Sequence, residues 1–205
     1  MPRDPSSVSD ATFALLLADG LGPVTLGKLR DRFGSDEKTA GASVGALMEV
    51  PGIARKTGEA LRRSIDEADV DAQRAAMQSH GIRMLLHGDA DYPPLLATID
   101  SAPPALWIRG AIESSDDPSV AIVGSRRCSA YGREQSGRLG ALLAQAGLTI
   151  VSGGALGVDA EAHRAAQRVN GRTIAVLGCG LDVDYPREHR ELFAKIADGS
   201  GAVIS

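Results

Sequence analysis

From Ser119 onward the chain alternates short apolar runs with helix-like segments, and no other feature restricts its fold so strongly. The runs VAIV (120–123), LTIV (148–151), TIAVL (173–177) and AVIS (202–205) are β-branched and too short for buried helices. They read as strands. Between them, residues 133–146, 158–169 and 187–197 have helical spacing, with Gly147, Gly171 and Gly199 placed to end them. Strands that are apolar throughout are buried on both faces, and neighbours joined through a helix run parallel. The expectation is an α/β fold, a doubly wound parallel sheet with helices on both faces.

The N-terminal part has another grammar. Residues 1–66 read as short helices over 11–18, 25–33, 44–50 and 56–66, joined by glycine turns. GLGPVTLGKL (20–29) and GIARKTGEAL (52–61) superimpose at an offset of 32, pairing Gly20 with Gly52, Thr25 with Thr57 and Leu29 with Leu61. Two copies of a helix-hairpin-helix unit are implied, giving a small all-α, SAM-like domain. Such a turn can hold a phosphate at a helix N-terminus. In the second copy, however, Ala54 stands where a second glycine is common, which leaves a structural or docking role equally open. The repeat also accounts for GPVTLGKL, a near P-loop in which Leu29 replaces the magnesium-binding Ser/Thr. GASVG (41–45) follows DEKTA instead of an apolar strand, so it forms no nucleophile elbow. Residues 67–118 contribute a connecting helix (69–79) and lead-in strands (82–86, 105–108). ESSDDP (113–118) marks the entry to a third region, 119–205.

Composition narrows the chemistry. At 43% hydrophobic and 23% charged, the 205 residues suit a soluble globular protein. No run approaches the roughly 20 apolar residues of a membrane span, and a cytoplasmic location is expected. The two cysteines, Cys128 and Cys179, and the four histidines form no zinc-ligand pattern. No metal is expected. A net charge of −4 argues against a general nucleic-acid coat, although Arg126, Arg127, Arg133 and Arg138 crowd one stretch against Glu134 alone.

In a sheet of this kind ligands bind beyond the C-terminal strand ends. Three glycine-rich loops leave those ends: GSRRCSAYG (124–132), SGGALG (152–157) and GCGLDVDYP (178–186). Their amides can point at phosphate oxygens. SGGALG is a near miss to GxGxxG, but TIAVL ends in Gly178 and Cys179 where a ribose-binding acid is needed, so no dinucleotide or other cofactor is expected. Arg126 leaves the first strand directly into the crevice, where a guanidinium can grip a phosphate or stack on a base. Arg187 adds a second cation on the same rim. The residues expected to line a phosphate-binding site are Gly124, Ser125, Arg126, Ser152, Gly153, Gly154, Gly180 and Arg187, with no catalytic residue. Asp159 and His163, four apart on one helix, read as supports of that helix, and the cysteines as packing residues. A nucleotide-cleaving alternative exists, because GGALGVDAE with Glu161 loosely echoes the GGxGTxxE loop of phosphoribohydrolases.

The blocks VAIVGSRRCSAYG, TIVSGGALGVDAEAH and TIAVLGCGLDVDYPREHRELF, preceded by DADYPPLLATIDSAPPALWIRG, together resemble the DNA-processing protein A family (DprA, also called Smf). The resemblance implies a Rossmann-like domain over 119–205 and a non-enzymatic protein that binds and shields single-stranded DNA in natural transformation. It further implies loading of the recombinase RecA, single-stranded DNA-binding protein as another partner, and a homodimer. The family's DNA-gripping arginine falls on Arg126, and a basic residue after its Tyr-Pro motif on Arg187. Where the family often has asparagine, this chain has His189. Family members continue past a strand resembling AVIS to complete the sheet and the dimer surface, and many add a winged-helix domain. The sheet is therefore expected to be incomplete at Ser205.

Overall fold

The computed structural model describes residues 2–205. Its contacts divide the chain into two units: residues 3–79 with 84–105, and residues 80–83 with 106–205.

The first unit is built on the repeated hairpin. Helices α1 (Asp10–Leu17) and α2 (Pro23–Phe33) form one copy; α4 (Val44–Leu47) and α5 (Arg55–Asp66) form the other. The offset of 32 holds bond for bond. The Leu21 N–H donates to Ala18 O at 3.2 Å and the Ile53 N–H to Val50 O at 3.1 Å, while Gly20 and Gly52 take φ of +75° and +99°. Gly22 and Ala54 both stand at the N-cap in extended conformation, so alanine serves there without strain. Leu29 and Leu61, the paired leucines, meet in one cluster with Leu47, Val50 and Ile53. A second cluster joins Ala14, Leu15, Leu26 and Ile65. Helix α3 (Asp36–Ala40), which periodicity alone does not reveal, starts where the Ser35 hydroxyl accepts the Lys38 N–H. Helix α6 (Val70–Ser79), strand β1 (Arg83–Leu86) and the short α7 (Pro94–Ala97) follow.

In the second unit the strands β2 (Ala105–Gly110), β3 (Ser119–Ala121), β4 (Thr149–Ser152), β5 (Thr173–Val176) and β6 (Gly201–Ile204) lie in the order β2-β6-β5-β4-β3. The four foreseen strands are parallel, with Val120 beside Ile150, Val151 beside Ile174 and Ile174 beside Ala202. Strand β2 joins them antiparallel, Ile108 opposite Ile204. Helices α8 (Ala130–Gln145), α9 (Val158–Arg168) and α10 (Arg190–Lys195) make the crossovers.

Stepping one strand at a time in one direction with right-handed crossovers sets all three helices on the same face. The expectation of helices on both faces is thus met on one face: on the other, Val123 and Val176 are exposed. Helix α8 begins at Ala130, earlier than expected, because the Ser129 hydroxyl caps it by accepting the Gly132 N–H at 3.1 Å. Residues 187–197 do not form one helix. A 3-10 turn (Arg187–His189) leads into α10, which relaxes into a π turn over Ile196–Ser200.

Packing under the helices is close. A Cβ on Gly140 of α8 would lie 3.0 Å from Ala162 O of α9, and Ser136 Oγ donates to Val158 O at 2.7 Å. Below β4 and β5, Asp116 takes Arg172 Nε at 2.6 Å, the Thr149 hydroxyl at 2.9 Å and the Glu113 N–H at 2.8 Å. Burial alone would raise the Asp116 pKa, but these donors outweigh it and hold the carboxyl below its ordinary value.

Candidate functional site

The loops after β3, β4 and β5 all leave the same edge of the parallel sheet, and they are bonded to one another. The first two meet at the start of α9. The Val158 N–H donates to Ser125 O at 3.3 Å, and Gly124 lies so near Val158 that a Cβ there would come within 2.8 Å of its side chain. Gly157 has φ +85°, and a Cβ on it would strike the Ser125 carbonyl oxygen. Only glycine satisfies both demands at 157. Ser125 Oγ in turn accepts the Arg127 N–H at 3.1 Å, a tight turn that leaves Arg126 exposed at its apex.

The second loop is pinned from below. Ser152 is 2% exposed and its hydroxyl donates to Ile122 O at 2.5 Å, so it joins β4 to the end of β3 and turns away from the crevice. Gly153 is exposed, whereas Gly154 is buried with φ +67° against Leu177 and Phe193. The Gly154 carbonyl accepts His189 Nδ1–H at 2.9 Å, which ties this loop to the turn carrying Arg187. His189 also meets Phe193 edge-on, with ring centroids 5.8 Å apart. Gly180 is exposed at the mouth of the third loop, folded against Asp182.

The eight expected residues therefore occupy one edge in two roles. Gly124, Ser125, Gly153 and Gly180 offer exposed backbone, and Arg126 and Arg187 offer exposed guanidinium groups. Ser152 and Gly154 are buried and position the others. Neither Arg126 nor Arg187 is paired with a carboxylate among the described residues. Both remain available to an anion.

Asp159 and His163 lie beneath the second loop. Asp159 Oδ2 accepts the Ala155 N–H at 3.2 Å, within the loop that leads into α9. His163 is fully buried. Because the Thr173 hydroxyl donates to Ile150 O at 2.7 Å, it accepts from His163 Nδ1–H, also at 2.7 Å. Burial, helped by the nearby His189 and Arg164, pushes the His163 pKa down to about 4. Asp159 Oδ1 and His163 Nε2 are buried without hydrogen-bond partners, out of reach of a ligand at the surface. Glu161 is held by Arg164 at 3.2 Å. Cys128 and Cys179 are half-buried free thiols, and no cluster of metal-ligand type occurs among the described residues.

Sequence reasoning named the loops but missed what couples them. Gly157, the last glycine of SGGALG, carried a signal in its spacing. His189 carried none beyond its departure from a family pattern. Tyr131 and Tyr185 were also passed over; they are 71% and 57% exposed in the first and third loops, in a chain with three tyrosines.

Residues 83–205 match the profile of the DNA recombination-mediator protein A family. Protein Smf of Synechocystis is 38% identical over 190 residues, which cover 91% of this chain and 48% of that protein. The X-ray structure of DNA processing protein A from Streptococcus pneumoniae superposes with a TM-score of 0.75 at 30% identity, covering 97% of this chain and 67% of that one. A structure of the Helicobacter pylori protein, described for its single-stranded DNA binding mode, matches with a TM-score of 0.52 at 30% identity, covering 60% of this chain and 54% of that one. The chain spans about half the length, or less, of the curated relatives it matches. On the family profile, which covers more than half of its residues, this chain belongs to the DNA recombination-mediator protein A family.

Proposed function

We propose that this chain binds single-stranded DNA in the crevice at the C-terminal edge of its parallel sheet, without chemical turnover. The observation that carries the reading is the exposed, unpaired Arg126 at the apex of a turn whose backbone is bonded to the start of α9. A guanidinium held there grips a phosphate bidentately while the exposed amides of Gly124, Gly153 and Gly180 line the approach. Arg187 supplies a second cation from the third loop. Contacts to backbone alone make such binding sequence-tolerant and salt-dependent. The single-stranded DNA named for the Helicobacter pylori relative supports the same ligand.

A role in protecting incoming DNA and loading RecA during transformation, with single-stranded DNA-binding protein as partner and a homodimer as the working form, belongs to this reading as its cellular setting. A nucleotide-cleaving reading finds less support, since Glu161 is engaged by Arg164 and the Asp159–His163 pair is sealed from solvent. Fluorescence anisotropy with labelled single strands tests the proposal. Arg126→Ala should weaken binding at least several-fold with an unchanged melting curve; wild-type affinity in that variant would refute the placement.

A further inference from the structure

Both arginine-bearing turns of the crevice are seated on one short segment, residues 152–158. The Arg126 turn is bonded to its end, where the Val158 N–H donates to Ser125 O at 3.3 Å. The Arg187 turn reaches it through His189, whose Nδ1 lies 2.9 Å from Gly154 O. A carbonyl oxygen only accepts, so His189 carries its proton on Nδ1.

The kind of turn decides which side chain goes where. Residues 187–189 form a 3-10 turn, three residues to the turn, so their side chains leave in three directions. Glu188 enters the groove beside Gln167 and Arg168 of α9. His189 goes inward, 1% exposed, between the Gly154 carbonyl and the Phe193 ring that it meets edge-on. Arg187 is left on the third, exposed side. The same Phe193 ring stands 2.9 Å from where a Cβ on Gly154 would be, so it supports both ends of the bond. The His189 N–H donates to Pro186 O at 2.9 Å and the Arg190 N–H to Arg187 O, which closes the turn around the guanidinium-bearing residue. The neighbouring carboxylates are placed elsewhere: Asp184 is taken by Arg190 at 3.6 Å, Asp182 folds against Gly180, and Glu188 faces α9. Two residues of closed turn therefore separate a buried donor from an exposed cation, and the seating of the first fixes the backbone of the second.

We propose that His189 is the positioning residue of the crevice's second cation: its Nδ1–H bond to Gly154 O holds Arg187 in place relative to the Arg126 turn, so that the two guanidinium groups meet phosphates of the same strand. This rests on the crevice reading and deepens it. The position then requires a donor where Nδ1 stands. Asparagine carries an N–H there, glutamine carries one farther out, where the imidazole has Nε2, and leucine fills the space while leaving the Gly154 carbonyl without its hydrogen bond.

Labelled oligothymidylate is titrated onto the full chain by fluorescence anisotropy at several salt concentrations, with a melting curve for each variant. Arg187→Ala should weaken binding about five-fold, the worth of one hydrogen-bonded contact. Its slope of log affinity against log salt should be shallower by about 0.7, one single-strand phosphate. His189→Leu should reproduce both changes, add nothing in the Arg187→Ala background, and still cost about five-fold in the Arg126→Ala background. General loosening of the fold would act in both backgrounds alike. His189→Asn should restore wild-type affinity and slope, whereas His189→Gln should behave as His189→Leu does; this polar pair carries the test if the leucine variant does not fold. If His189→Leu keeps wild-type affinity, if it weakens Arg187→Ala as much as it weakens wild type, or if asparagine serves no better than glutamine, the positioning role is overturned and the crevice stands. If wild type does not bind the strand, or Arg126→Ala binds it unchanged, the crevice reading falls and takes the role of His189 with it.

Discussion

Gly157 shows how much of the candidate site depends on one backbone position. Its φ of +85° is open to glycine at little cost, and any Cβ would press on the Ser125 carbonyl that accepts the Val158 N–H. Gly157→Ala is expected to lower stability by about 2 kcal/mol from strain and displacement together, read by thermal unfolding. It should also weaken single-stranded DNA binding, because the turn carrying Arg126 loses its anchor. Gly153→Ala is the contrasting case: its φ is ordinary and its close neighbour is the Asp159 carboxylate at 3.0 Å, so the adjustment falls on one side chain. Arg126 and Arg187 were legible from sequence because residue type and strand-end position were enough to nominate them. The bonds that fix them were not. Ser125 O to Val158 N–H is a bond between two main chains, indifferent to side-chain identity, and His189 Nδ1–H to Gly154 O joins residues 35 apart.

At the scale of elements, sequence reading did best where a single physical cause set the pattern. Short β-branched runs gave all four parallel strands to within a residue or two, and the repeat gave two hairpins with matching hydrogen bonds. It did less well where competing causes met, as in residues 187–197, which are helical in composition yet open with a 3-10 turn and close with a π turn. The buried Asp116 escaped it as well, since Arg172, Thr149 and Glu113 converge on that carboxylate from three separate segments. Removing the carboxylate leaves Arg172 its bonds to Glu113 and the Ala111 carbonyl, but it takes away the acceptor of the Thr149 hydroxyl and of the Glu113 N–H. Asp116→Ala should therefore destabilise the second unit by about 2 kcal/mol, seen as a lowered midpoint in urea while the strand ends above keep their hydrogen bonds.

For the molecule as a whole, pH offers a measurable signature of the buried histidine. The folded value of His163, about 4, lies below the ordinary 6.5, so the unfolded chain binds a proton that the folded chain refuses. Its contribution is fully present above about pH 6.5 and is lost as pH falls toward 4, a change of up to about 3 kcal/mol. Asp116, held below its ordinary value, weakens the fold only at still lower pH. Urea unfolding between pH 7 and pH 4.5 should show the decline in wild type and a flatter profile in His163→Leu. Arg126 rides on a turn bonded to α9, α9 is locked to α8 at Gly140, and the second loop is bonded to His189. With the loops of the proposed strand site bonded to the helices in this way, little chain entropy should be lost on binding. The heat of binding should then reflect phosphate contacts and displaced counterions, with a small change in heat capacity where a loop that ordered on contact would give a large one.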